Sequence, residues 1–222
     1  MFDSGITAKN LISQIREEAE ISYEIPDESF VQWMNALEQL LYSEVIREQK
    51  AYTFGIDSSR INAKFESDGA IRLVCGFPTY DDEADMRFED IYAVYADDRQ
   101  LIKSTLASGV LFPYTYYREL DDLGINVPEA PDEFKVVYLV RPVLKTTDIK
   151  NADGEVITPG NFGTEHVKVP VEFIELVSAK LRGEACKLAN EDALAAKWLS
   201  DYNILLETFK TWIAGKQPSF GL

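Results

Sequence analysis

Apolar residues recur at spacings of three and four near both ends of this 222-residue chain, and alternate with polar residues between. A helical stripe of that kind holds its helix in water mainly through burial, so two pairs of such stripes at opposite ends constrain the fold more than any other feature. The first segment opens with Thr7 as an N-cap and carries Ala8, Leu11, Ile12, Ile15 and Ala19 on one side. The second begins after Pro26 and Asp27, and Phe30, Trp33, Met34, Leu37, Leu40, Leu41 and Val45 form its stripe against polar Gln32, Asn35, Glu38 and Gln39. After Pro170, a favourable first-turn residue, Phe173, Ile174, Val177, Leu181, Ala185 and Leu188 share a face, which Gly183 weakens modestly. Asn190 is expected to cap a last helix with Glu191 and Asp192 in its first turn; Leu194, Trp198, Leu205, Phe209 and Trp212 are its stripe, and Gly215 and Pro218 stop it. The simplest burial of four stripes is against one another, which brings both ends of the chain into one helical bundle.

From Lys50 the period changes to two. Ile61, Ala63 and Phe65 alternate with polar neighbours, Asp68-Gly69 supplies a turn, and Ile71, Leu73 and Cys75 resume the alternation, as in a β-hairpin. Further extended runs are expected at Phe88 to Tyr95, Val110 to Tyr117 and Phe134 to Val140. Asp148 to Val167 holds Asp153-Gly154, Pro159-Gly160 and Gly163, residues that permit sharp reversals, and reads as a protruding loop or hairpin. The expected class is therefore α+β: helices from 1–49 and 169–215 form the bundle, 50–147 is a strand-rich insertion, 148–168 a protruding loop and 216–222 a tail. Turn formers dominate the loop, so Asp153, Gly154, Pro159 and Phe162 are candidates for contacts between subunits; in the tail, Pro218, Phe220 and Leu222 are candidates for docking on a partner.

A net charge of −16 repels nucleic acid and anionic membrane, which argues against sequence-specific DNA reading. Such acidity serves solubility, or a surface that faces DNA without sticking to it. With 46% apolar residues the chain is a folded one, and Cys75 and Cys186, far apart and outside any CxxC spacing, read as two core thiols of a reducing compartment. Residues 1–10 lack the basic start and apolar run of a signal peptide, and no stretch approaches the roughly 18 apolar residues of a membrane span.

Reactive constellations are missing from the sequence. His166 is the only histidine, so a multi-histidine metal site cannot be built, and no GxSxG, GxxxxGK[ST] or GxGxxG motif occurs. Asp81, Asp82, Glu83 and Asp85, with Asp97-Asp98 and Asp121-Asp122, lack motif spacing; an EF-hand register around Gly154 would put its first ligand on Ile149 and its twelfth on Gly160. No catalytic, cofactor-binding or metal-ligating residue is assigned. Two alternatives stay open: an acidic inhibitor or adaptor bound to a basic protein surface, and a carboxylate-dependent glycoside hydrolase.

The order of elements in the second half carries a resemblance: the extended run Phe134 to Pro142 (FKVVYLVRP), a loop, then Val169-Pro170 and two helices, the second reading EDALAAKWLSDYNILLETFKTW. This layout resembles the head-to-tail adaptors of tailed bacteriophages, and the N-terminal helix IPDESFVQWMNALEQLLYSEV is similar to their opening; 50–131 matches them least. The resemblance implies a non-enzymatic virion protein, assembled in the host cytoplasm as a ring of about twelve copies at the head-tail junction. It further implies a portal protein and tail or neck proteins as partners, double-stranded DNA passing through an acid-lined channel, no membrane, and Pro218, Phe220 and Leu222 as the portal contact.

Overall fold

The computed structural model describes residues 1–18, 25–67, 70–76, 88–104, 112–120, 122–151 and 153–216. It is mixed helix and sheet and divides into two compact units, one formed by Met1–Arg47 with Arg141–Leu222, the other by Glu48–Val140.

The first unit contains α1 (Ala8–Glu18) and α2 (Asp27–Leu40), then α3 (Ile174–Leu188) and α4 (Asp192–Lys216). Thr7 caps α1: its hydroxyl accepts the Asn10 N–H at 3.2 Å. Asp27 and Glu28 place carboxylates on the positive end of α2. That helix runs on into one π-helical stretch, Leu41–Ile46, closed by the Arg47 N–H donating to the Tyr42 carbonyl, with Arg47 left-handed at φ +48°. A single 3₁₀ turn, Val171–Phe173, follows Pro170 and starts α3.

All four helices contribute to one hydrophobic core, from Leu11, Ile12 and Ile15 through Phe30, Met34 and Leu37 to Leu176, Val177, Leu181, Phe209 and Ile213. Trp33, Trp198 and Leu205 pack on its edge half-buried, whereas Leu40 and Leu188, assigned to stripes by spacing, are exposed. Helices α3 and α4 approach closely at Gly183, where a Cβ would come within 2.8 Å of the Leu199 side chain. Asn190 does not cap α4. It lies left-handed at φ +61°, its N–H bonds the Lys187 carbonyl, and the Glu191 N–H bonds the Cys186 carbonyl, so it ends α3 in a Schellman motif. An asparagine between two helices satisfies either pattern, and the three-residue connection, Ala189, Asn190 and Glu191, selects the C-terminal one.

The second unit holds nine strands: β1 (Gln49–Phe54), β2 (Ile61–Ser67), β3 (Ala70–Cys75), β4 (Ile91–Ala96), β5 (Arg99–Gln100), β6 (Ile102–Lys103), β7 (Thr115–Glu119), β8 (Asp122–Val127) and β9 (Phe134–Leu139) among the described residues. They form a four-stranded sheet, β1-β9-β4-β5, and a five-stranded sheet, β2-β3-β8-β7-β6, antiparallel except for β6 beside β7. Leu73, Tyr116, Leu123 and Ile125 of one sheet share a core with Phe54, Val94, Phe134 and Val136 of the other. The expected hairpin is β2–β3; its turn at 68–69 lies outside the described residues. Strand β8, DLGINV, was not expected, because its glycine reads as a turn. Gly124 is instead a strand residue across which the Tyr117 ring lies, and a Cβ there would stand 2.4 Å from that ring. Cys75 and Cys186 are free and buried, and burial pushes the Cys75 thiol up to about 12.

Candidate assembly surface

The segment 148–158 returns as a small antiparallel hairpin, β10 (Ile149–Lys150) and β11 (Val156–Thr158), within the helical unit. Its turn is built by Asn151, whose side-chain oxygen accepts the N–H groups of Asp153 (3.0 Å) and Glu155 (2.8 Å), while Gly154 takes φ +83°. Three aliphatic side chains stand in solvent on this hairpin: Ile149 at 60%, Val156 at 50% and Ile157 at 65% exposure. A two-stranded ribbon is marginal on its own in water, so what holds this one lies at its root.

The root is a polar clamp. Asn161 accepts the Thr146 N–H at 2.7 Å and donates to the Leu144 carbonyl at 3.2 Å; the Phe162 N–H bonds the Thr146 carbonyl, and the Gly160 N–H bonds Asp148 at 2.8 Å. At Gly160 any side chain would collide with backbone, since a Cβ would lie 2.2 Å from the Thr146 carbonyl oxygen. Gly160→Ala is therefore expected to cost about 1–3 kcal/mol and to open the root, seen as faster amide exchange across 146–161 with the helices still protected. Unchanged exchange there would mean that the close approach is relieved at no cost.

Beneath the clamp, the strap 141–148 is fastened to α2 by a fully buried ion pair. Lys145 Nζ donates to Glu38 Oε2 at 2.5 Å with both side chains at 0% exposure. Asn35 brackets the Lys145 backbone, donating to its carbonyl at 2.8 Å and accepting its N–H at 2.9 Å, while the Lys168 N–H donates to Glu38 Oε1 at 2.8 Å. Burial pushes the Glu38 carboxyl above its usual range, and the Lys145 ammonium and Lys168 amide offset part of that rise.

The N-terminal segment ties the same region down. The Lys9 N–H bonds the Phe162 carbonyl, Ser4 and Val167 bond at 3.0 Å, and Phe2 rests on Trp212 near the end of α4 with 5.8 Å between ring centres. His166 pairs with Asp3 at 2.9 Å, and the Gly5 N–H followed by His166 holds the Asp3 carboxyl below its usual value. Residues 2–9 thus touch both the hairpin root, through Lys9 and Phe162, and α4, through Phe2 and Trp212.

Of the residues singled out by sequence, Asp153, Gly154 and Pro159 are exposed on the hairpin or its return limb. Phe162 is corrected: only 8% exposed, it belongs to the helical core and anchors the limb, so it is not a surface contact. Pro218, Phe220 and Leu222, and the acidic run Asp81, Asp82, Glu83 and Asp85, lie outside the described residues. The exposed aliphatics of the hairpin were missed, although DIK and EVIT around a turn carry a short β-branched signal. Among the described residues no three His, Cys, Asp or Glu side chains gather as a metal site, and no described helix is long and apolar enough to cross a membrane. A cleft of about 510 Å³ in the β unit is lined by Asp97, Asp98, Arg99, Tyr114 and Glu129, with Arg99 stacked 3.2 Å above the Tyr114 ring and Asp97 committed to the amides of Asp132 and Glu133. In comparisons with known proteins, no family model and no curated protein matches the sequence.

Proposed function

We propose that the chain is a structural subunit without catalytic function, which assembles as a ring on a portal and joins it to the tail, in the manner of a phage head-to-tail adaptor. The observation that carries this reading is the clamped hairpin with Ile149, Val156 and Ile157 in solvent. Exposed aliphatics on a rigidly rooted arm suit a contact with another protein, because little ordering entropy remains to be lost on docking. The terminal helices act as the bundle of the ring and the hairpin as its protruding loop. The net charge of −16 supports passage of DNA, since carboxylates along a channel make none of the phosphate contacts that lysine and arginine make. The alternative of a carboxylate-dependent glycoside hydrolase gains no support from Asp97 in the β-unit cleft, whose carboxylate holds a turn.

Incorporation into portal-bearing particles tests the proposal, with the intact chain set beside a truncation after Lys216. The intact chain is expected to join as a multimer; the truncation should fold normally by circular dichroism and fail to join, since it leaves α4 whole and removes Pro218, Phe220 and Leu222. Full incorporation of the truncation would remove the tail from the interface. A one-to-one complex with a basic protein, and no multimer on portals, would replace the adaptor reading with the inhibitor one.

A further inference from the structure

The five-stranded sheet of the β unit ends in strands of unequal length. At one edge β6 has two residues; at the other β2 has seven, and among the described residues no strand pairs with its outer side. An edge of that length offers a row of main-chain donors and acceptors that another strand can complete, and proteins ordinarily blunt it with proline, a bulge or uncompensated charge. Strand β2, INAKFES, has no proline, and its register with β3 shifts only at its start, between Ile61 and Ala63. Its two charges, Lys64 and Glu66, neutralise one another at 2.7 Å, and Phe65 between them is 54% exposed. We propose that β2 pairs antiparallel with β2 of a second copy of the chain, with Phe65 on the two-fold axis, so that the two sheets run on as one.

The strand's own sequence identifies the occupant. Antiparallel pairing about Phe65 sets Lys64 opposite Glu66 of the second copy and Glu66 opposite Lys64 of the second copy, so both opposite-charge pairs form at once. Sliding the axis one residue either way sets lysine against lysine or glutamate against glutamate. The backbone favours the same register. In an antiparallel ladder alternate pairs exchange hydrogen bonds, and Ser67↔Ala70, which closes the β2–β3 ladder across a two-residue connection, is a bonded pair. Counting back, Phe65 bonds β3, while Lys64 and Glu66 turn their N–H and C=O groups outward. These are the residues that meet about Phe65, so the new main-chain bonds and the charge pairs fall on the same positions. Phe65 then faces Phe65 of the second copy in a non-bonded pair, where side chains stand closest. The Lys64–Glu66 pair of the free chain is solvent-exposed and readily exchanged. A patch that meets itself closes at two copies; this contact is distinct from one that repeats around a ring, and the inference stands apart from the adaptor reading.

Analytical ultracentrifugation of the full chain tests the contact. The unaltered chain is expected to sediment as a dimer that dissociates on dilution. Lys64→Glu and Glu66→Lys each set like charges opposite one another and should sediment as monomers. Mixed in equal amounts, the two variants should dimerise with each other, and a chain carrying both exchanges should dimerise by itself. Both side chains are exposed, so the circular dichroism of every variant should match that of the unaltered chain. Independently, Phe65→Cys should form a disulfide-linked dimer under mild oxidation, since the Cα separation of a non-bonded pair lies within disulfide range. Ile102→Cys, exposed on the opposite edge of the sheet, should form far less, and the native Cys75 and Cys186 are buried. An unaltered chain that stays monomeric at the highest concentration reached, single variants that dimerise as it does, or single variants that fail to join when mixed would each overturn the proposal.

Discussion

Replacing Lys145 with methionine is expected to destabilise the protein by about 3–5 kcal/mol, because it strands the Glu38 carboxylate without its cation in a site with no solvent access. Glu38→Met together with Lys145→Met should recover most of that loss, since a buried ion pair offsets its own desolvation only roughly and an apolar pair of similar volume incurs none. The pH dependence has a defined sign. A carboxyl whose folded value is raised contributes stability that is complete below its unfolded value and is lost as pH rises through the folded one, and Glu38 is raised by burial even with Lys145 in place. Without the ammonium the rise is larger, so the deficit of Lys145→Met should shrink as pH falls toward the ordinary glutamate range. Lys168, whose N–H bonds Glu38 and whose ammonium pairs with Glu165, is a second cation that acts on this carboxyl. Urea unfolding of both variants across pH measures all of this; a double variant as unstable as the single one would show that the pair is not coupled.

Phe209→Ala should have a loss of the same order, about 3–5 kcal/mol. Its ring is fully buried, 4.8 Å from the centre of Phe173 and 6.1 Å from that of Trp212, which in turn touches Phe2, so truncation empties the middle of an aromatic cluster. Leu205→Ala, at the half-buried edge of the same helix, should cost only about 1 kcal/mol. Chemical denaturation separates the two, and the emission of Trp212 should move to longer wavelength in Phe209→Ala alone. Equal losses would mean that the core does not centre on the aromatic cluster.

The helices and the β2–β3 hairpin were legible because their signal is local: spacings of three and four, or of two, within a single segment. Glu38 shows where that stops. By period it belongs to the polar side of α2, and its burial depends on a lysine 107 positions later in a stretch with no periodicity of its own. Residues 141–147 of the strap were likewise assigned to the strand-rich middle, although its partners are Asn35, Glu38 and Asn161 of the helical unit. Within the candidate surface, Asp153, Gly154 and Pro159 were found through turn chemistry, while Phe162 was misplaced because a lone aromatic among turn residues looks the same whether it points into a core or away from one. Ile149, Val156 and Ile157 make strands too short for a period to be counted.

The β unit leaves and rejoins the helical unit through neighbouring antiparallel strands: Gln49 faces Leu139, and the Val140 N–H donates to the Glu48 carbonyl at 2.9 Å. The helical unit is therefore discontinuous in sequence, and its two halves are separated by the roughly 90 residues of Glu48–Val140. Closing a flexible loop of that length costs about 3 kcal/mol more than closing one of a few residues. Once β1 has paired with β9, residues 47 and 141 are already neighbours and most of that cost has been met. During synthesis the contiguous β unit is therefore expected to be able to close once residue 140 has emerged, which would set residue 141 beside residue 47 before the last two helices are made.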